Sequence, residues 1–286
     1  MTITLNWFPW HDGGTHVSDA LAALDAALLE RGHVRVRQEG SVVRVLLDRP
    51  DARNAQTPST WAALAAVGQA VVEAGESVAA VIVSGSGRSF SAGLDRRMFT
   101  PEGIPGEMSL LSLASAGPAD LDASIAAAQS AFTWWRSVDA VTVAAVQGHA
   151  IGAGFQLALA CDLLIASEDA QFAMRETSYG LVPDLAGTWP LVRAIGYSRA
   201  LDLCASGRTV TAAEGYALGF VTRVVADLDT EITALIGGLE QAPPGAVRDL
   251  VPLLRDAEVR TPEQQWAAER AAQAQRLRSL LSALGG

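Results

Sequence analysis

Three uncharged apolar runs of strand length constrain this chain most: AAVIVSG at 79–85, AVTVAAVQG at 140–148 and LLIAS at 163–167. A strand that faces water on one side alternates polar with apolar residues, and these do not. They suit strands buried on both faces, the state of a parallel sheet covered by helices. Helical patterns separate them: WAALAAVGQAVVEAG, capped by Thr57 or Ser59, and LDASIAAAQSAFTWWRSV. The expected fold class is α/β.

Upstream, VRVRQ and VVRVLLD alternate and are joined by EGS, which predicts a hairpin. DRPDARNAQTP reads as a loop from its Pro, Asp and Asn content. Residues 100–120 are rich in Pro, Gly and Ser and predict a mobile loop or insertion beside a site. Beyond about residue 187 the chain reads as mostly helical. Residues 1–32 read as an extension, with one helix in SDALAALDAALLERG running from an N-cap at Ser18 to a stop at Gly32. The expected organisation is an extension at 1–32, a core at 33–225 and a helical region at 226–286.

Charge excludes several functions. Lys plus Arg is 21 against 31 Asp plus Glu, a formal net charge of −10, which argues against a nucleic-acid or membrane-surface binder. Every Lys/Arg position is Arg, so Schiff-base and lysine-base chemistry are excluded and anions must be held by Arg or backbone N–H groups. Cys161 and Cys204 sit in apolar contexts; they form neither a metal-ligand spacing nor a disulfide framework, and they fit a reducing cytoplasm. The start, MTITLNWFPWHDGG, lacks the basic and apolar regions of a signal peptide, and no apolar run is long enough for a bilayer.

Two loops stand at strand ends: FSAGLD after the first apolar run and GHAIGAGF after the second. Small residues there let backbone N–H groups approach a ligand. Open α/β folds place ligands outside the carboxyl ends of their strands. Two such loops side by side can aim two N–H groups at one oxygen, an oxyanion hole, with a nearby helix N-terminus adding to the field. Either loop alone is equally a tight turn. The dinucleotide spacing GxGxxG is absent.

In order along the chain, DRPDARNAQ, SGSGRSFSAGLD, AAVQGHAIGAGFQLALACDLLIAS and AQFAMRETSYGLVPDLAGT resemble the crotonase (enoyl-CoA hydratase/isomerase) superfamily over roughly residues 33–225. The resemblance implies a spiral of ββα units with a C-terminal helical trimerisation region, a homotrimer or hexamer, and an acyl-CoA thioester substrate. It implies no cofactor beyond the coenzyme A that the substrate carries, and no metal. It places the oxyanion donors at the N–H groups of Leu94 and Ala153. It places coenzyme A contacts at Ala52, Arg53, Ala92 and Arg97, with Arg96 nearby; each arginine is otherwise a solvated loop residue. Relatives usually continue with a further C-terminal helix, which is expected to be missing after RLRSLLSALGG; Trp7, Phe8 and Trp10 are a candidate substitute.

The family's hydratases use two glutamates on either side of the substrate. Here the first position is Gln156 and the second Glu176; its dienoyl-CoA isomerases have an acid at the position of Asp184. An amide cannot accept a proton at neutral pH, so two-carboxylate hydration loses half its machinery, whereas a 1,3-proton shift needs one carboxylate. The expected activity is therefore double-bond isomerisation through an oxyanion-stabilised enolate. Alternatives are 2-enoyl-CoA hydration in fatty-acid degradation and an inactive acyl-CoA-binding relative. Gln156 is equally a structural amide at its turn, and Asp184 equally a cap of the helix near Gly187. His149, Cys161, Trp134 and Trp135 read as structural.

Overall fold

A computed structural model describes residues 18–243 and 245–284. Trp7, Phe8 and Trp10 lie outside the described residues. The first described elements are α1 (Asp19–Ala22) and α2 (Ala26–Gly32), where the sequence predicts one helix. The break falls at Asp25, whose side chain accepts from the Ala27 N–H and starts α2 afresh. The helix stop is not Gly32 itself but His33, in the left-handed region at φ 52°. Leu21 is buried and Leu24, Leu28 and Leu29 pack on the main core, so residues 18–32 lie against the body of the fold.

The hairpin is β1 (Val34–Glu39) and β2 (Val42–Leu47), antiparallel. Then come α3 (Pro58–Ala74) and β3 (Ala80–Gly85). Thr57 caps α3 in a reciprocal capping box with Thr60. The segment from 100 to 120 is not wholly irregular: it contains α4 (Leu110–Ala114), and Glu107 Oε2 accepts from the Ser59 N–H at 3.1 Å. Next are α5 (Pro118–Thr133), β4 (Val141–Val146), β5 (His149–Ile151), α6 (Ala153–Ala160), β6 (Leu163–Ser167) and β7 (Gln171–Ala173). The rest is α7 (Thr188–Ile195), α8 (Tyr197–Ser206), β8 (Val210–Thr211), α9 (Ala212–Leu218), β9 (Arg223–Val225), α10 (Leu228–Gln241), α11 (Ala246–Ala257) and α12 (Pro262–Leu284).

The main sheet has the order β1-β2-β3-β4-β6-β9, parallel from β2 onwards. Its apolar strands divide by alternation. Val43, Val45, Val81, Val83, Ala144 and Val146 join the core beneath α3, whereas Val42, Ile82, Val143, Ala145 and Ile165 meet Leu228 and Ile232 of α10. Burial on both faces is why these runs carry no charge; each buried Val or Ile contributes about 1.5–3 kcal/mol. Cys161 and the stacked Trp134–Trp135 pair, centroids 4.0 Å apart, are core residues.

The small sheet β5-β7-β8 positions the site. Its strands are two or three residues long, too short to show a period of two in sequence. It pins the turn before α6 against the segment that follows β7. Among the described residues, no helix is long and apolar enough to cross a membrane.

Candidate active site

The two small-residue loops lie side by side. Phe90 N–H donates to Gln147 O, Ser91 N–H to His149 O and Ile151 N–H to Ser91 O, at 2.8, 2.9 and 3.0 Å. Gly93, at φ 82°, packs so closely that a Cβ there would stand 2.4 Å from Ile151 O and 3.4 Å from Ala153 N. On its other side the FSAGLD loop pairs with Gln56: the Gln56 N–H donates to Gly93 O and the Asp95 N–H to Gln56 O. In an extended segment, that use of the flanking residues turns the intervening Leu94 N–H away from Gln56. Among the described residues, neither the Leu94 nor the Ala153 N–H has an acceptor. Ala153 is also the first residue of α6, where the helix dipole is positive.

A buried polar scaffold, which sequence reasoning missed, shapes this pair. Ser91 Oγ donates to Asn54 O at 2.8 Å and accepts from Gln56 Nε2 and the Gly93 N–H. Asn54, left-handed at φ 54°, donates to Ser86 O and Ser89 O. Asp95, next to Leu94, is buried and accepts from Arg49 Nη1 and Arg97 Nη2, both at 2.8 Å. The paired Arg97 and then Arg49 hold its carboxyl well below the usual carboxylate range. The only sequence signal was polar residues among small ones in two loops, too common a pattern to act on.

Beside the Ala153 N–H stands Glu176, at the start of the short helical turn Glu176–Tyr179. A Cβ on Gly152 would lie 3.3 Å from its Oε1, so the carboxylate and the Ala153 N–H flank the same glycine. Gly152 has φ 52° and donates its N–H to Ala173 O of β7. Both requirements, left-handed backbone and no side chain, select glycine here. Gln156 is fully buried; its Nε2 donates to Glu176 Oε1 at 2.7 Å, and its Oε1 accepts from the Leu185 and Gly187 N–H groups at 2.9 and 3.2 Å. Glu176 Oε2 is buried and, among the described residues, without a hydrogen-bond partner. Burial raises the Glu176 carboxyl above its usual range and the Asp184 charge adds to this, against the Gln156 hydrogen bond.

Leu94, Ala153, Gln156 and Glu176 are thus brought together. Asp184 is exposed on the turn that Gln156 holds, and its carbonyl accepts from Gln129 Nε2 at 2.7 Å. Asp184 caps nothing at α7, whose N-cap residue is Gly187 without a side-chain bond. Ala52 and Arg53 adjoin Ala92, whose N–H donates to Arg53 O at 2.8 Å. Arg53 is exposed and makes no ion pair among the described residues, whereas Arg97 is turned onto Asp95. His149 faces Ser89 Oγ through Nδ1 at 3.3 Å. Among the described residues, no His, Cys, Asp and Glu cluster suits a metal.

Chemically, two N–H donors without acceptors and a buried carboxylate with one unpartnered oxygen can stabilise an oxyanion while a proton moves. Known proteins resemble the chain in sequence and fold. A family model described as enoyl-CoA hydratase/isomerase matches residues 37–280. The chain is 35% identical over 222 residues to a Mycobacterium tuberculosis protein named a probable enoyl-CoA hydratase, covering 75% of this chain and 78% of that one. It is 30% identical over 189 residues to the 2,3-dehydroadipyl-CoA hydratase of Escherichia coli, covering 66% and 68%. A solved Thermobifida fusca structure, assigned to the enoyl-CoA hydratases and in complex with acetoacetyl-CoA, is 42% identical with a TM-score of 0.82 over 90% of this chain and 99% of that one. These likenesses show that the chain belongs to the enoyl-CoA hydratase/isomerase family.

Proposed function

We propose that this enzyme moves the double bond of an enoyl-CoA thioester, with the thioester oxygen between the Leu94 and Ala153 N–H groups and Glu176 as the acid–base group. Glu176 Oε2 takes a proton from C2 of a 3-enoyl thioester. The C–H electron pair forms the C1–C2 enolate bond and the carbonyl pair moves to the oxygen held by the two N–H groups. Return of the proton to C4 re-forms the carbonyl and leaves the double bond between C2 and C3. Two preorganised donors favour this path because they bind the oxygen more tightly as charge grows. The chemistry uses the chain's own groups, with coenzyme A on the substrate.

One observation supports isomerisation over hydration. The seat for a second acid holds Gln156, whose carbonyl oxygen is committed to two backbone N–H groups and whose amide is committed to Glu176. It has no lone pair left to activate a water. Coenzyme A as the carrier is supported by the acetoacetyl-CoA bound to the Thermobifida fusca protein. The unpaired, exposed Arg53 and the backbone of Ala52 and Ala92 are its proposed contacts, with Arg96 and Arg97 at the edge. We further infer a homotrimer or hexamer in the cytoplasm. Exposed Leu250, Leu254, Leu277 and Leu281 on α11 and α12 provide apolar area for assembly.

Hydration of 2-enoyl-CoA is the second reading, favoured by the hydratase names of the relatives and by the charge of Asp184 near Glu176. Initial rates on 3-enoyl-CoA and 2-enoyl-CoA of matched chain length test the choice. Isomerisation predicts faster conversion of the 3-enoyl ester; water addition to the 2-enoyl ester as the dominant reaction overturns it.

A further inference from the structure

The buried amide of Gln156 joins the acid–base group to the turn that follows it in sequence. A carboxylate has two equivalent oxygens until something distinguishes them. Here Gln156 Nε2 distinguishes them, holding Oε1 at 2.7 Å while Oε2, among the described residues, stays buried and unpartnered. The other end of the same side chain gathers the N–H groups of Leu185 and Gly187. Gly187 closes over it so tightly that a Cβ there would sit 2.6 Å from Gln156 Cγ. Between them Ala186 takes φ 61°, a costly conformation for a residue with a Cβ, so the turn is shaped around the amide. Gln129 fixes the same turn from α5 through Asp184 O.

We propose that Gln156 is a positioning residue: its one amide clamps Oε1 of Glu176 to the Leu185–Gly187 turn, so that Oε2 alone is presented to the substrate. This rests on the reading of Glu176 as the acid–base group. The clamp requires a donor at one end and an acceptor at the other, which glutamine supplies and glutamate, when ionised, does not. The charged and titratable groups around Glu176 are Asp184 on the turn, Cys204 on α8 and the adjoining Arg175, whose guanidinium donates to Thr209. None of them can replace the amide donor to Oε1, and Asp184 acts in the opposite sense.

The test is a carboxyl-carbon NMR titration of protein labelled at glutamate, with the Glu176 signal assigned by its loss in Glu176→Gln. Wild type, Gln156→Leu and Gln156→Glu are compared, with kcat and KM on 3-enoyl-CoA and 2-enoyl-CoA across pH. The Glu176 midpoint is expected to move to higher pH in both Gln156 variants, and kcat to fall about 10²-fold with little change in KM. The acid limb of the pH–rate profile moves with the midpoint. Gln156→Glu keeps the acceptor for the Leu185 and Gly187 N–H groups, so it guards against a failure of the leucine variant to fold. If Gln156 is structural only, folded Gln156→Leu keeps the wild-type midpoint and both variants keep the wild-type kcat, and the proposal is overturned; the midpoint is read in Gln156→Leu because the second carboxylate of Gln156→Glu raises it by charge alone. Wild-type turnover by Glu176→Gln would instead overturn the acid–base reading, and the midpoint of Glu176 would still decide the role of Gln156.

Discussion

Gln156 Nε2 donates to Glu176 Oε1 across 2.7 Å, so the residue that denies the site a second carboxylate also orients the first. Twenty residues of sequence separate the two, and the pairing of β5 with β7 closes that gap. It follows that Glu176→Gln removes a buried, unpartnered carboxylate oxygen while keeping an amide that Gln156 can still bond. Turnover is expected to fall about 10²–10⁴-fold, with acyl-CoA binding retained. Steady-state kinetics with calorimetric titration of a non-reacting acyl-CoA checks this, and unimpaired turnover refutes it.

The raised Glu176 carboxyl has two consequences of opposite sense. Burial is the main cause and the Asp184 charge a lesser one. As a base, Glu176 must be ionised, so the rate rises with pH through the raised value and then levels. For folding, the native state binds this proton more tightly than the unfolded chain. Stability is therefore full below the usual carboxylate value and declines as pH rises through the raised one. Glu176→Gln is accordingly expected to melt higher than wild type near pH 8, with the gain vanishing in acid. Thermal scans from pH 4 to 8 read this directly; a gain that grows in acid contradicts it.

Gly93 couples the two loops that carry the Leu94 and Ala153 N–H groups. A methyl group there would stand 2.4 Å from Ile151 O, on a backbone at φ 82° that disfavours any Cβ. Gly93→Ala must push apart the loops that carry Leu94 and Ala153. Loss of one well-placed donor costs about 10²–10³-fold in kcat. The expected result is a kcat loss of that order with a folded protein by circular dichroism. A kcat within about twofold of wild type, well short of the loss of a donor, would show that the two loops do not share one ligand oxygen.

Asp95 holds the first of those loops through Arg49 and Arg97. Its side chain and that of Arg49 are largely shielded, at 8% and 19% exposure, so Asp95→Asn leaves a shielded cation short of its partner. About 3 kcal/mol of stability is expected to be lost, read by urea unfolding at neutral pH. Because the carboxyl is held below its usual range, this contribution is present above the ordinary carboxylate value. It disappears only as pH falls through the depressed one. The gap between wild type and variant should therefore persist at pH 5.

How legible the chain was depended on how local the determinant is. β3, β4 and β6 announced themselves because burial on both faces excludes charge, and α3 announced itself through a local cap signal at Thr57 or Ser59, of which the structure uses Thr57. The break at Asp25 was missed because an apolar period continues across it. The strands β5, β7 and β8 were missed because short pairings leave no periodicity. At the site, motif resemblance picked out Leu94, Ala153, Gln156 and Glu176, and the structure brings them together. The Ser91, Asn54 and Gln56 scaffold stayed invisible, because its meaning lies in bonds across 35 and 37 residues of sequence.

Asp184 separates the two reactions most sharply. Its charge reaches Glu176 and partial burial raises its own carboxyl, yet it lies on an exposed part of the turn and its carbonyl, rather than its carboxylate, is what α5 holds. Hydration needs a second group to give or take a proton from the attacking water, and with Gln156 committed, Asp184 is the carboxylate left for that role. Isomerisation by Glu176 alone needs no such partner. Asp184→Asn is therefore expected to leave 3-enoyl-CoA isomerisation within about tenfold of wild type, since removing a positioned general acid or base costs at least about 10²-fold. A loss of that larger size on 2-enoyl-CoA hydration, with hydration as the main wild-type reaction, would assign Asp184 as the second acid and replace the single-carboxylate mechanism.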